Sequence, residues 1–182
     1  MIEEMDLLKI SIETKRLLLS PLSNDYAENI FMEFTSEITK YMYPKPYENI
    51  QKTHDYIEEQ LLKLKREIEL TLVILKKENN KFIGCLGIYD INTSKPGLWI
   101  WIKKSSQNNG YSLESMAELI EWAHKYLKFD YLIYPVSKKN IASRRLPEKN
   151  NGIIMAEEKS LGEAGSELDE YEYRIFPKNQ EK

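Results

Sequence analysis

The sequence predicts one α/β domain of the mixed α+β kind, a mixed sheet flanked by helices. Three observations point there. Apolar runs of strand length alternate with amphipathic stretches of helix length. Two of those runs flank the polar tip Lys76-Lys77-Glu78-Asn79-Asn80-Lys81, the pattern of a hairpin. The clearest amphipathic helix has strand-like runs on both sides of it.

Taken in order, Arg16-Leu17-Leu18-Leu19 reads as a strand closed by Ser20-Pro21. Ser23 to Phe34 reads as a helix, with Tyr26, Ile30 and Phe34 spaced four apart. Tyr41 to Tyr47 is not regular helix, because Pro44 and Pro46 remove donors and extend the residues before them. A second helix follows from about Ile50 to Arg66, its apolar face marked by Ile50, Ile57, Leu61 and Leu64. Leu70–Leu75 and Phe82–Tyr89 form the hairpin, and Thr93 to Gly97 turns the chain into a strand at Leu98–Ile102. After Gly110 comes the clearest helix, with Leu113, Met116, Ala117, Ile120, Ala123, Tyr126 and Leu127 on one face. Tyr131–Val136 is a strand, Ile141–Lys149 a short helix, and Ile153–Met155 and Tyr171–Phe176 are closing strands. Gly162–Ser166 reads as a flexible connection between them.

Bulk properties narrow the function. The 182 residues suit one compact domain with a real core, and 42% hydrophobic with 30% charged residues is ordinary for a soluble protein. Twenty-six basic against 29 acidic residues leave a net charge of −3, with no overall pull toward nucleic acid or an anionic membrane. A single cysteine, Cys85, excludes an internal disulfide, and with only His54 and His124 beside it no zinc-site spacing exists. No signal peptide and no membrane-spanning run is apparent, so a cytoplasmic protein without a metal is expected.

The most informative stretch is Leu98 to Ser112. A buried strand leads through Gln107-Asn108-Asn109-Gly110-Tyr111-Ser112 into a helix. The first N–H groups of a helix lack internal partners, and its dipole adds roughly half a positive charge there. A phosphate or pyrophosphate suits such a place. The same residues also suit a plain polar turn with Ser112 as the helix N-cap.

This order of elements and these residues resemble the GNAT superfamily of acyl-CoA-dependent N-acetyltransferases, in particular its RimJ/RimL-like branch. The resemblance begins at Glu13-Thr14-Lys15-Arg16-Leu17. It is most specific in the family's Gln/Arg-x-x-Gly-x-Gly/Ala loop, here Gln107-x-x-Gly110-x-Ser112, with the following Glu matched by Glu114. A second signature reads Asn140-Ile141-Ala142-Ser143, then Glu148-Lys149 and Gly152. The resemblance implies a single domain over residues 1–182 with a central mixed, mostly antiparallel sheet.

It also implies roles. The CoA pyrophosphate would lie on Gln107, Asn108, Asn109, Gly110, Tyr111 and Ser112. The pantetheine arm would pair with backbone groups near Ile100 and Ile102, and Asn140 would hydrogen-bond that arm. Ser143 would either protonate the departing thiolate, where many relatives use a Tyr, or only hydrogen-bond the sulfur while water supplies the proton; no Tyr lies between Asn140 and Gly152. Relatives often carry a Glu as general base where this chain has Gly97. Glu69, Asp90, His54 or a water relay are substitutes among which the sequence does not select. Lys138, Lys139, Arg144 and Arg145 form a basic cluster, suited to the 3′-phosphate or to solvent alike. Tyr41, Tyr43 and Tyr47 either line the acceptor pocket or cover the core, while His124 and Cys85 read as structural.

The expected function is acetyl-CoA-dependent transfer of an acetyl group to a primary amine, a protein N-terminus or a small amine, in a ternary complex. The alternatives are a non-catalytic acyl-CoA-binding module of the same fold and a structural domain that binds nothing. Acetyl-CoA and the amine are the expected partners, with neither nucleic acid nor membrane, and the chain would act as a monomer or homodimer.

Overall fold

The structure is a computed structural model and describes residues 6–161 and 167–178. Its elements are β1 (Ile12–Glu13), β2 (Leu17–Pro21), α1 (Ala27–Glu33), α2 (Ile50–Lys65), β3 (Glu69–Lys76), β4 (Phe82–Tyr89), β5 (Gly97–Ile102), α3 (Tyr111–Tyr126), β6 (Leu132–Ser137), α4 (Ile141–Lys149), β7 (Ile153–Leu161) and β8 (Glu167–Ile175). The strands make one eight-stranded sheet in the order β1-β2-β3-β4-β5-β6-β8-β7. Every neighbouring pair is antiparallel except β5 and β6. The mixed, mostly antiparallel sheet expected from the sequence is therefore present.

The centre of the sheet is covered on both faces, which is why β3 and β4 are almost continuously apolar. Side chains alternate along a strand, so Leu70, Leu72 and Ile74 face one way and Val73 and Leu75 the other. The first set packs with Leu17, Leu19, Leu86 and Ile88 beneath Met116, Leu119, Ile120 and Ala123 of α3. The second packs with Phe82, Cys85 and Trp101 against Ile30, Phe34 and Ile57 from the α1–α2 side.

Several elements differ from their expected form. The short edge strand β1, too brief for a pattern, pairs with β2 at Ile12↔Leu19 and Glu13↔Leu18. The first helix begins as a 3-10 turn over Asn24–Tyr26 and becomes α-helical only at Ala27. On α2 the buried stripe is Thr53, Ile57, Gln60 and Leu64, while Ile50 is 37% exposed. Ile57 and Leu64 set the helix's rotation, and Thr53 and Gln60 share their face at heptad spacing. On α3, Leu113 is 37% exposed and Ser115, Leu119 and Trp122 are buried instead. The last two strands are much longer than their apolar cores and form a ribbon registered from Ile153↔Arg174 to Leu161↔Glu167. The expected connection at Gly162–Ser166 lies outside the described residues.

Candidate active site

β5 and β6 run side by side but share a single residue pair, Gly97↔Ile133, anchored by the Ile133 N–H donating to Pro96 O at 2.8 Å. Beyond that pair the strands are not bridged. A cavity of about 530 Å³ opens between them, with Leu98 to Trp101 on one wall and Tyr134, Pro135, Val136, Asn140 and Ser143 on the other. Alternate residues of an antiparallel strand bond to the same neighbour. The Lys103 N–H bonds Ile83 O, which puts Trp101, Trp99 and Gly97 in register to bond β4. The backbone groups of Leu98, Ile100 and Ile102 therefore face the β6 side. Ile102 O is engaged there by the Gln107 side chain, whose Nε2 donates to it at 3.1 Å.

The loop into α3 is held by its own side chains. Asn109 Nδ2 donates to Gln107 O (2.9 Å) and Ser106 O (3.2 Å), and Asn108 sits at φ 61°. Gly110 is the N-cap residue of α3 at φ 76°, a backbone conformation that L side chains rarely adopt. No side chain caps the helix; Ser112 is its second residue, not the N-cap. The Glu114 N–H donates to Gly110 O at 3.1 Å, so the N–H groups of Tyr111, Ser112 and Leu113 precede the first turn's bonds.

A cation that sequence reasoning did not place here stands beside this turn. The Arg16 guanidinium lies 4.6 Å from the Tyr111 ring centroid and 3.5 Å from where a Cβ on Gly110 would be, with Lys76 Nζ 5.7 Å from the same ring. Arg16 is fixed by Glu114, which accepts from its Nε (2.6 Å) and its backbone N–H (2.8 Å), and from the Thr14 hydroxyl. Burial opposes ionisation of Glu114, but these donors prevail and hold its carboxyl below the usual value. The signal was the Thr14-Lys15-Arg16 opening together with Glu114, a hundred residues apart in sequence.

On the opposite wall, Asn140 is the N-cap of α4, its Oδ1 accepting from the Ser143 N–H at 3.2 Å. Ser143 Oγ lies 2.7 Å from the Tyr134 hydroxyl. Burial pushes the Tyr134 phenol up to about 12 against the lowering effect of that hydrogen bond. Tyr134 was legible only as one of three inward residues, Leu132, Tyr134 and Val136, on β6. The basic cluster is largely committed elsewhere. Lys138 pairs with Glu157 (2.6 Å) and Asp169 (2.7 Å), and Arg144 donates to Tyr173 Oη and lies over Tyr171. Arg145 is exposed.

The far end of the cavity is aromatic. Phe34 packs on Tyr47 (5.8 Å between centroids) and Trp101 (5.1 Å), and Tyr47 on Tyr56 (5.3 Å). Tyr41, Tyr43 and Tyr47 all line the cavity. Among the three candidate bases, only Glu69 does so. Its side chain is 12% exposed and accepts from Trp99 Nε1 at 3.1 Å and Lys63 Nζ at 3.3 Å. Gln60, with its amide nitrogen toward β3, also donates to it at 3.2 Å. Gly87 leaves room for the Trp99 indole, which a Cβ would approach to 2.8 Å. His54 Nδ1 contacts Asn24 Oδ1 on the exposed surface, and Asp90 is exposed; neither lines the cavity. Gly97 is covered by Tyr89, whose phenol is pushed up to about 12 by burial and by nearby Asp90, Glu172, Glu170 and Glu69. Cys85 is buried in the core and burial raises its thiol, so it stays protonated. His124 is partly buried and stacks on Phe129 at 5.6 Å, consistent with a packing role.

A sheet parted between two parallel strands, beside a helix whose first N–H groups are uncapped, is the architecture of acyl-CoA-dependent acyltransferases. A family model described as an acetyltransferase (GNAT) domain matches residues 16–152. The chain belongs to that family, and its fold is that of an N-acetyltransferase. Mycobacterium smegmatis RimJ in complex with CoA-disulfide superposes with a TM-score of 0.85 at 12% identity, over 97% of this chain and 91% of that one. RimL, a ribosomal L7/L12 alpha-N-protein acetyltransferase in complex with coenzyme A, gives 0.83 at 15% identity, over 92% and 98%. The microcin C7 self-immunity acetyltransferase MccE, in complex with acetyl-CoA and AMP, gives 0.80 at 17%, over 89% and 93%. A comparison with curated protein sequences returns no match.

Proposed function

We propose that the protein transfers an acetyl group from acetyl-CoA to a primary amine by direct attack in a ternary complex. The observation that carries this reading is the part of the β5 edge beyond the Gly97–Ile133 rung, where the Ile100 backbone and the Ile102 N–H face the cavity without bridging β6, directly before the uncapped start of α3. Pantetheine amides suit the backbone groups of Ile100 and the Ile102 N–H, as an added strand would. The pyrophosphate suits the turn from Gln107 through Asn108, Asn109 and Gly110 to the N–H groups of Tyr111 and Ser112. Gln107 serves that turn by tying it to Ile102, while Arg16 and Lys76 supply the positive charge that an Arg at 107 would bring.

In this reading the thioester lies between β5 and α4. A β5 N–H polarises its carbonyl and stabilises the tetrahedral oxyanion. Asn140 and Ser143 meet the pantetheine end and the sulfur. The amine enters from the aromatic end and passes its proton to Glu69, held in place by Trp99, Lys63 and Gln60. Alignment of an already reactive thioester and amine does most of the work. RimJ and RimL, whose structures hold CoA-derived ligands, support the cosubstrate; a protein N-terminus or a small amine is the acceptor.

The test is a screen for acetyl-CoA-dependent thiol release over peptides and small amines. Turnover with any amine supports transfer. Thermal stabilisation by CoA, about 2.7 kcal/mol at a hundredfold excess over Kd, without thiol release from any acceptor would mark a binding module instead. Tyr89 standing over Gly97 is the feature that favours that second reading.

A further inference from the structure

We propose that Tyr134 and Ser143 act as one two-hydroxyl donor to the CoA sulfur, in which Tyr134 is a positioning residue for the serine proton. This rests on the acetyl-CoA reading above and concerns how the leaving group departs. The Tyr134 hydroxyl lies 2.7 Å from Ser143 Oγ, and the phenol is otherwise buried beneath α4. Of the two, the phenol is the stronger acid and the aliphatic hydroxyl the better acceptor, so the Tyr134 O–H donates to Ser143 Oγ. The serine's own proton is then directed away from Tyr134, toward the remaining open side. That side is the cavity, which both residues line across from β5. The serine backbone is fixed as well, because its N–H is held by Asn140 Oδ1 at 3.2 Å.

The chemistry follows from the acidities. An aliphatic hydroxyl is too weak an acid to give its proton outright to a thiolate, and burial keeps the Tyr134 phenol protonated. The pair therefore hydrogen-bonds the departing sulfur. The amine nitrogen's lone pair forms the new C–N bond, and the C–S pair collapses onto sulfur as thiolate. The surplus amine proton leaves through Glu69, and the thiolate takes a proton from water on release. A hydrogen bond to sulfur is stronger once charge has developed there, so the donor favours the later state. This arrangement also accounts for a chain with no Tyr on α4 itself: the phenol acts from β6, one hydroxyl further back.

The experiment follows the ultraviolet thiolate absorbance of CoA bound to the full-length protein as pH is raised, with no acceptor needed. The expected result is that bound CoA thiol titrates about one pH unit lower in the wild type than in Tyr134→Phe or Ser143→Ala. The double variant should match Ser143→Ala, because Tyr134 acts only through the serine. Ser143→Thr, which retains the hydroxyl, should titrate like the wild type. In turnover, Tyr134→Phe should lower kcat roughly tenfold with the KM for acetyl-CoA changed less than twofold. CoA that binds but titrates alike in the wild type and Tyr134→Phe overturns the proposal, as does a Tyr134→Phe effect that persists undiminished in the Ser143→Ala background. Failure of the wild type to bind CoA at all overturns the acetyl-CoA reading, and this assignment with it.

Discussion

Tyr89 and Gly97 are cross-strand partners on β4 and β5, and the phenol ring of the first occupies the space above the second. A Cβ on Gly97 would stand 1.9 Å from Tyr89 Cζ and 2.2 Å from its oxygen. With the ring in that place, Gly97 has no room for a side chain at the point where β5 and β6 part. The phenol, pushed up to about 12, stays neutral there and does not itself serve as a base near neutral pH.

Placing a carboxylate at that position should fail in this background. Gly97→Glu is expected to destabilise the protein by roughly 2 kcal/mol through overpacking, read as a lower urea midpoint. Tyr89→Ala combined with Gly97→Glu should recover part of that loss, because the clash is with the ring.

Glu69 is expected to carry the base function. Glu69→Gln keeps the shape and the contact with Trp99, and should lower kcat/KM by about a hundredfold. His54→Ala and Asp90→Asn, both outside the cavity, should leave the rate within twofold. Thiol-release kinetics at saturating acetyl-CoA check all three. Equal losses at the three positions would exclude Glu69 from that role.

The turn before α3 depends on a left-handed residue. Gly110→Ala places a side chain at φ 76° and should cost about 1 kcal/mol of stability, with weaker CoA binding by calorimetry. Arg16→Gln should weaken CoA binding too, and its loss should be larger at low salt than at high salt, since screening already weakens a half-exposed cation.

Glu114 links stability to pH. Its folded carboxyl is held below its unfolded value of about 4.3 by Thr14 and Arg16, despite partial burial. The stabilisation is fully present above the unfolded value and is lost as pH falls through the lower folded one. Glu114→Gln should therefore be less stable than the wild type at pH 7, by about 1 kcal/mol given the half-exposed arginine. Thermal melts should show that gap narrowing below pH 4.

How much of this was legible in the sequence varies by kind of signal. The β3–β4 hairpin and α3 were readable because apolar periodicity and a polar tip are local. The turn at Gly110 was readable for the same reason, and its left-handed φ follows from residue type. The outer half of the β7–β8 ribbon was not, because Glu157, Glu158 and Lys159 carry no apolar alternation; pairing with β8 alone makes them a strand. Long-range partnerships were also hidden. Arg16 beside Gly110, Tyr134 behind Ser143 and Tyr89 over Gly97 each join residues whose meeting depends on sheet order and register. Glu69 could be named as a candidate but not chosen, since its neighbours Trp99 and Lys63 come from different elements.

The lone rung joining Gly97 to Ile133 means the molecule's two half-sheets, β1–β5 and β6–β8, are stitched by backbone at one point and otherwise by side chains under α3. A ligand laid into the gap would act as a ninth, borrowed strand and bridge the halves with peptide-like bonds. Occupancy would then stiffen the middle of the protein, and amides of β5 that exchange with solvent in the free protein would become the ones most slowed by loading it.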